Sequence, residues 1–136
     1  MEALRAAAIE PADSNLIMQC SLLHDTIEDT PVTVHILSDR FGKQVSESVL
    51  ALTQQPGESS ADYLKKIVRQ KKEVWMVKLS DRIWNMDEPP KHWESSKRRE
   101  YQEEAKLILE TLSAGSPYLA ARLSDKIYAY NKFLTA

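Results

Sequence analysis

Two short segments of this chain contain the residue types that bind a divalent metal ion and act on phosphate groups. The first segment holds His24-Asp25 and, one helical turn later, Glu28-Asp29, whereas the second, much further along the chain, holds Asp81. An imidazole nitrogen combined with carboxylate oxygens suits a borderline-hard ion such as Mn²⁺, Fe²⁺ or Zn²⁺, whereas oxygen ligands alone would favour Mg²⁺ or Ca²⁺. The residue types therefore predict a metal-dependent phosphoester site.

Helical spacing explains how the residues of each segment can act together. In a helix over residues 15–28, the four ionisable side chains share one face, because each residue turns the helix by about 100°. The opposite face then carries the apolar side chains Leu16, Cys20, Leu23 and Ile27. In the second segment Lys78, Asp81, Arg82 and Asn85 form a polar stripe, and Met76, Leu79, Ile83 and Met86 form an apolar one. A site between the two polar stripes is reasonable, although solvated helix faces show the same spacing.

The exact residues of both segments resemble the HD superfamily of metal-dependent phosphohydrolases, and within it the RelA/SpoT-type small alarmone hydrolases. In that family the first segment is LLHD-x-x-ED-T and the second is KLADR-x-x-N-[ML]; residues 22–30 and 78–86 match these patterns, except that Ser80 replaces the alanine. Further similarity at Phe41-Gly42, at Pro89-Pro90 and at Trp93 extends the resemblance over most of the chain. It implies an all-α HD-domain helical bundle.

The resemblance also implies an activity, which is hydrolysis of the 3′-pyrophosphate from guanosine 3′,5′-bis(diphosphate), usually with Mn²⁺. His24, Asp25 and Asp81 would bind the metal ion, which would activate a water molecule for attack on phosphorus. Glu28 and Asp29 would take a proton from that water or orient it. A role in the stringent response would follow from this activity.

Several basic and polar residues are candidates for binding the substrate. Lys78 and Arg82 share the stripe of Asp81 and could contact phosphates, while Asn85 suits a ribose hydroxyl or a hydrogen bond to a metal ligand. The resemblance adds four residues, of which the first two lie on a helix that otherwise suggests a solvated face: Lys65, Lys66, Lys97 and Tyr101.

The chain departs from the family pattern at one metal ligand. The family binds its ion with the pattern H…HD…D, and residues 1–19 contain no histidine that could supply the first ligand. We therefore expect Mn²⁺ to bind weakly or not at all, because three ligands replace four. Two alternatives stay open, namely a hydrolase of another nucleotide and an impaired HD remnant that binds a nucleotide or a protein.

Composition favours a single domain over residues 1–136, apparently short at its N-terminus. The hydrophobic content of 43% is enough for one core, and the formal charge of −2 argues against a general nucleic-acid or membrane-surface binder. The only cysteine, Cys20, excludes an internal disulfide and is expected to be a packed, reduced thiol. Together with the absence of a long apolar run, these features predict a cytoplasmic protein.

A short N-terminal region would leave apolar surface uncovered, which favours a homodimer.

The secondary structure is expected to be helical throughout, with no alternating pattern typical of strands. Thr30-Pro31 resembles a helix cap followed by proline at the first helical position, and Gly42 should end that helix. Pro56-Gly57 marks the clearest loop. The predicted helices cover residues 3–9, 15–28, 31–41, 43–52, 61–71, 73–86, 95–112 and 118–134.

Overall fold

Helices make up the regular structure of the chain. The computed structural model describes residues 2–9, 12–25, 27 and 33–134, and these residues contain no β-strand. Their helices are α1 (Glu2–Ile9), α2 (Ser14–Leu23), α3 (Val34–Phe41), α4 (Lys43–Ala51), α5 (Ser60–Val68), α6 (Lys72–Asn85), α7 (Ser95–Leu112) and α8 (Pro117–Ala129). Short 3₁₀ turns, Ser113–Gly115 and Tyr130–Phe133, follow α7 and α8. The predicted all-α fold is confirmed.

Side-chain caps determine where several of these helices begin. The side chains of Asp13, Thr33, Ser59 and Ser116 each accept a hydrogen bond from the backbone N–H three residues later. Such a cap contributes about 1 kcal/mol, because it satisfies an N–H group that has no partner within the helix. At Gly42 the backbone has a φ of 90°, which glycine adopts readily, and α3 ends there as predicted.

His24 and Asp25, here called the HD pair, lie beyond the end of α2. The prediction of one helix over residues 15–28 is therefore wrong. α2 ends at Leu23, and His24 and Asp25 form a turn. The His24 ring donates a hydrogen bond from Nδ1 to the carbonyl oxygen of Ser21 at 2.8 Å. This local side-chain bond competes with continuation of the helix.

The start of α3 also differs from the prediction. Thr33 has extended backbone angles (φ −101°, ψ 161°) and caps a helix that begins at Val34, so the predicted helix began too early. The side chain of Thr33 satisfies the N–H of Ile36, which is why this threonine is the cap. The predicted cap at Thr30-Pro31 falls outside the described residues.

Helix α6 lies at the centre of the fold and positions the second predicted segment. It contacts α1, α2, α5, α7 and α8. Met76, Leu79 and Ile83 of the predicted stripe are buried, whereas Trp84 of the same helix is exposed. The opposite side of α6 carries Asp81. The core therefore determines the position of Asp81, because this helix cannot shift without disturbing several neighbours.

The face of α2 that packs on α6 is apolar, as predicted. Leu16 and Cys20 are buried and Leu23 is partly buried against the core, as is Ile27, which follows the end of α2. Burial raises the pKa of the Cys20 thiol to about 11, which agrees with a packed, unreactive side chain. Among the described residues, no helix combines the length and apolarity needed to cross a membrane.

An ion pair joins α1 to α8. Arg122 donates to Glu2 from Nη2 to Oε1 at 3.0 Å and from Nε to Oε2 at 3.4 Å. This hydrogen-bonded guanidinium lowers the pKa of Glu2 below its ordinary value of 4.5. Arg5 also lies near Glu2, but at 3.8 Å and with a largely exposed side chain.

The Glu2–Arg122 pair should make stability depend on pH. Because the folded pKa of Glu2 is lowered, the pair contributes stability above pH 4.5 and loses it as the pH falls through the lowered pKa. We expect Glu2→Gln to reduce the free energy of unfolding at pH 7 by up to about 1 kcal/mol, and by less in acid. Urea unfolding at both pH values measures this difference. Arg5→Gln is the matched control, and an equal loss in that variant would contradict the assignment.

Candidate active site

The turn after α2 meets the polar side of α6 at a cluster of three side chains. His24 Nε2 lies 3.3 Å from Asp25 Oδ1 and 3.4 Å from Asp81 Oδ1. The three predicted metal ligands therefore lie together, although two of them are distant from the third in sequence. His24 and Asp81 are partly buried, whereas Asp25 is exposed.

Contacts at both ring nitrogen atoms orient the imidazole of His24. Nδ1 donates to the Ser21 carbonyl, so that Nε2 points to the carboxylates. A backbone carbonyl on Nδ1 is also the usual arrangement of a histidine that binds a metal through Nε2. The hydrogen bond with Asp81 is the main reason why the pKa of His24 is raised to about 9.

Asp81 is the centre of the polar contacts on α6. Lys78 Nζ lies 3.8 Å from Asp81 Oδ2, and Asn85 donates from Nδ2 to Asp81 Oδ1 at 3.3 Å. Burial alone would raise the pKa of Asp81, but the hydrogen bond from His24 and the charge of Lys78 outweigh burial and lower it. Asp81 is therefore a carboxylate at neutral pH.

These side chains line a cleft of about 210 Å³. Five of the predicted site residues border it: His24, Asp25, Lys78, Asp81 and Arg82. The remaining lining residues were not predicted: Leu52, Gln54, Tyr63, Val77 and Glu104. The cleft is thus walled by the turn after α2, by α6, and by α5 and α7.

Arg82 is held in the wall of the cleft by three contacts. Its Nη2 pairs with Glu104 Oε1, and its Nη1 donates to the backbone oxygen of Tyr101 at 3.2 Å. The guanidinium carbon also lies 4.1 Å from the centre of the Tyr101 ring. The predicted substrate residue Tyr101 therefore supports Arg82 and is absent from the cleft lining.

Other predicted substrate residues lie outside this cleft. Lys66 pairs with Glu58 at 2.9 Å, and Lys65 is exposed on the same helix, α5. The ammonium of Lys97 lies 4.7 Å from the centre of the Trp93 ring. The two predicted catalytic residues, Glu28 and Asp29, fall outside the described residues.

Tyr63 and Glu104 are the lining residues of most chemical interest that the sequence prediction missed. The buried Tyr63 donates from its hydroxyl to the Leu52 oxygen at 2.7 Å, and its ring lies 5.1 Å from Lys78 Nζ. Glu104 follows the predicted Tyr101 by three residues on α7, so helical spacing could have indicated that the two share a face. No comparable pattern in the sequence indicates Tyr63.

The donor set suits a divalent ion chemically, but the ligands are not assembled around a common centre. His24 Nε2 lies 3.3 Å from the Asp25 carboxylate and 3.4 Å from the Asp81 carboxylate, which are distances of direct contact. No group of three or more His, Cys, Asp or Glu residues in the described part of the chain has the arrangement of a metal site. His24 and Asp81 contact each other directly as an ion pair.

A second cleft, of about 440 Å³, shares His24, Val77 and Asp81 with the first. It is bordered by Ser80 and Trp84 of α6 and by Ser21 of α2. Trp84 is 80% exposed, and Leu22 of α2 is 73% exposed. Trp84 therefore exposes a large apolar side chain to solvent at the border of this cleft.

Comparison with known proteins shows which proteins this chain resembles. The guanosine-3′,5′-bis(diphosphate) 3′-pyrophosphohydrolase MESH1 of Danio rerio is 27% identical over 117 residues, which cover 80% of this chain and 65% of that protein. MESH1 of Mus musculus is 28% identical over 124 residues, covering 81% and 66%. The chain is therefore similar in sequence to guanosine-3′,5′-bis(diphosphate) 3′-pyrophosphohydrolases. The bifunctional (p)ppGpp synthase/hydrolase SpoT of Escherichia coli K12 is 34% identical over 79 residues, covering 51% of this chain and 11% of SpoT.

The fold agrees with this relationship. A solved structure described as "A metazoan ortholog of SpoT hydrolyzes ppGpp and plays a role in starvation responses" matches with a TM-score of 0.77 and 20% identity, covering 98% of this chain and 79% of that one. The predicted HD-type helical bundle is confirmed. No protein-family model matches the chain. The chain spans slightly less than two thirds of the length of the MESH1 proteins.

The hydrogen bond between His24 and Asp81 should be visible in the titration of the metal-free protein. We expect a His24 pKa of about 9, and Asp81→Asn should return it toward 6.5 because that change removes the main cause of the shift. The contact therefore stabilises the fold fully below pH 6.5 and loses this contribution as the pH rises through about 9. NMR of the imidazole ring protons measures both values. Asp25→Asn is the control, and an equal shift in that variant would contradict the dominant role of Asp81.

Proposed function

We propose that this chain hydrolyses the 3′-pyrophosphate from guanosine 3′,5′-bis(diphosphate). The observation that carries the proposal is the meeting of His24, Asp25 and Asp81 in one cleft beside Lys78. These residues belong to the two motifs on which the resemblance rests. The names of the MESH1 relatives support the choice of substrate.

Mn²⁺ is the metal ion that we propose for this site, held by His24, Asp25 and Asp81. When bound, the ion would polarise a phosphoryl oxygen and lower the pKa of a water molecule. His24 must release its Nε2 proton to become a ligand, so that the ion competes with the proton that Asp81 stabilises. Three protein ligands and this competition both favour weak binding.

Proton transfer is assigned to the two carboxylates that follow the HD pair. In the proposal Glu28 is the base and Asp29 orients the water, on the basis of their sequence positions and of the resemblance. Lys78 contacts a phosphate group, because its ammonium lies in the cleft beside Asp81. Arg82 supplies a second positive charge from the cleft wall.

The remaining predicted substrate residues surround the cleft at a greater distance. Asn85 is proposed to hold Asp81 in place, in agreement with its hydrogen bond to that carboxylate. Tyr101 supports Arg82 through its ring. For Lys65, Lys66 and Lys97 a role in binding the substrate rests on the resemblance.

Pairing of the charges within the cleft favours the impaired remnant as the second candidate. Each positive side chain already has an acidic partner: His24 has Asp81, Lys78 shares that aspartate, and Arg82 has Glu104. An arriving phosphate must therefore displace or outcompete a carboxylate. A chain with this pairing could bind a nucleotide or a protein without turnover. Hydrolysis of another nucleotide stays a further alternative.

Turnover is tested by incubating the chain with guanosine 3′,5′-bis(diphosphate) and Mn²⁺ and measuring the released pyrophosphate. We expect Glu28→Gln to lower kcat by about 100-fold or more, because a general base contributes that much. Glu47→Gln, which changes an exposed glutamate on α4, is the matched control and should retain activity. Nucleotide binding without product would instead favour the remnant.

Metal binding is tested separately by calorimetric titration with Mn²⁺. We expect weak binding that His24→Ala abolishes, because one of only three ligands is then lost. Removal of the metal with a chelator should stop turnover. Tight binding that survives His24→Ala would show that other residues hold the ion.

Self-association is proposed through the apolar surface beside the second cleft. The exposed side chains of Leu22 and Trp84 would be covered in a two-fold dimer. Light scattering at high micromolar concentration should find a dimer that Trp84→Ser weakens. Tyr128→Ser is the control, because Tyr128 is equally exposed but lies on α8. A monomer in all three proteins would contradict the proposal.

Cellular context follows from the proposed substrate. We propose a cytoplasmic location and a role in the stringent response. Neither a general affinity for nucleic acid nor attachment to a membrane is expected, because the formal charge of the chain is only −2.

A further inference from the structure

Glu104, which lies outside both motifs, adds a negative charge to the cleft. Its carboxylate borders the cleft from α7 and pairs with the guanidinium of Arg82. The hydroxyl of Ser60 lies 3.4 Å from its second oxygen, Oε2. The side chain of Glu104 is 39% exposed, whereas that of Arg82 is only 6% exposed. Glu104 is therefore the solvent-facing partner of a buried cation.

The geometry around Arg82 allows exchange of its anionic partner. The Tyr101 ring and the Tyr101 carbonyl oxygen fix the guanidinium independently of Glu104. A guanidinium binds the planar edge of a carboxylate and a phosphate group in similar ways. If Glu104 turns toward solvent, the same guanidinium edge becomes available to a phosphate oxygen from the cleft.

The charges of the cleft identify Glu104 as the acid that can be removed without loss of the proposed metal ligands. The acidic side chains of the lining are Asp25, Asp81 and Glu104, and the basic ones are His24, Lys78 and Arg82. Among the described lining residues the acidic side chains are thus as numerous as the basic ones, which disfavours binding of a free anion. Asp25 and Asp81 belong to the proposed metal set. Of the described lining residues, only Glu104 carries a negative charge that opposes the substrate and has no proposed role in metal binding.

We propose that Glu104 is a specificity-determining residue whose carboxylate occupies, beside Arg82, the position that a phosphate group of the ligand takes. It acts as an internal competitor, so that ligands with a highly charged pyrophosphate group displace it and neutral nucleosides do not. The inference rests on the proposed function, because it takes pyrophosphate to be the group that enters the cleft. It adds a residue outside both motifs that limits how tightly that group binds.

The test compares Glu104→Gln with Glu103→Gln by calorimetric titration of the whole chain with inorganic pyrophosphate in the absence of metal. Both substitutions change the total charge equally and lie next to each other on α7. Glu103, however, is 68% exposed and pairs with Lys106. We expect Glu104→Gln to bind pyrophosphate about three- to tenfold more tightly than the unaltered chain, because a nearby like charge is removed. Glu103→Gln should bind like the unaltered chain.

A second readout separates this role from a structural one. Glu104→Gln should lower KM for the bis(diphosphate) without raising kcat, and guanosine, which has no phosphate, should bind the variant and the unaltered chain equally. A purely structural role predicts a lower melting temperature with no gain in affinity. If folded Glu104→Gln binds pyrophosphate equally or more weakly, or if neither protein binds it, the inference is overturned.

If Glu104→Gln does not fold, NMR of the unaltered chain with labelled glutamate gives the answer, since pyrophosphate should shift the Glu104 carboxyl signal and an unshifted signal overturns the inference. The pyrophosphate titration does not depend on turnover. Tighter binding by Glu104→Gln without any cleavage of the bis(diphosphate) would support the role of Glu104 and end the proposed activity. Cleavage of the bis(diphosphate) without tighter pyrophosphate binding by Glu104→Gln would support the proposed activity and overturn the role of Glu104.

Discussion

The contact between His24 and Asp81 is the interaction on which the organisation of the site depends. It joins the turn after α2 to the polar side of α6, and it brings the first motif next to the second. The Ser21 carbonyl orients the imidazole from behind, while Lys78 and Asn85 hold the carboxylate from the other side. Each partner is thus already placed by its own neighbours, which reduces the ordering cost of bringing a ligand to this position.

Balanced charge is the second constraint on the site. Partly buried ions need partners, and in this cleft they find them in one another, which avoids the large cost of an unpaired buried charge. The same pairing reduces the attraction of the cleft for an anion. Stability of the resting protein and affinity for phosphate therefore place opposite demands on side chains such as Arg82 and Glu104, and a bound cation would shift this balance toward affinity.

Local sequence patterns predicted the helices and the residues that meet, but not the contacts that depend on tertiary structure. Periodicity was sufficient for α7, whose bounds agree with the prediction, and for the buried stripe of α6. The prediction missed the end of α2, where the His24 side chain binds the Ser21 carbonyl oxygen. Tyr63 and Glu104 were missed as site residues because their role arises only when α5 and α7 pack beside α6. Glu28 and Asp29 stay sequence-based predictions.

The two halves of the site belong to parts of the fold with different resistance to opening. Asp81 lies on a helix whose other side is buried in the core, so its amide protons should exchange with solvent mainly through global unfolding. His24 and Asp25 follow the last residue of α2, where a helix can open locally at a small free-energy cost. Hydrogen exchange would therefore divide the cluster into a slow half and a fast half. The affinity of any ligand that needs both halves would include the cost of keeping that helix end closed.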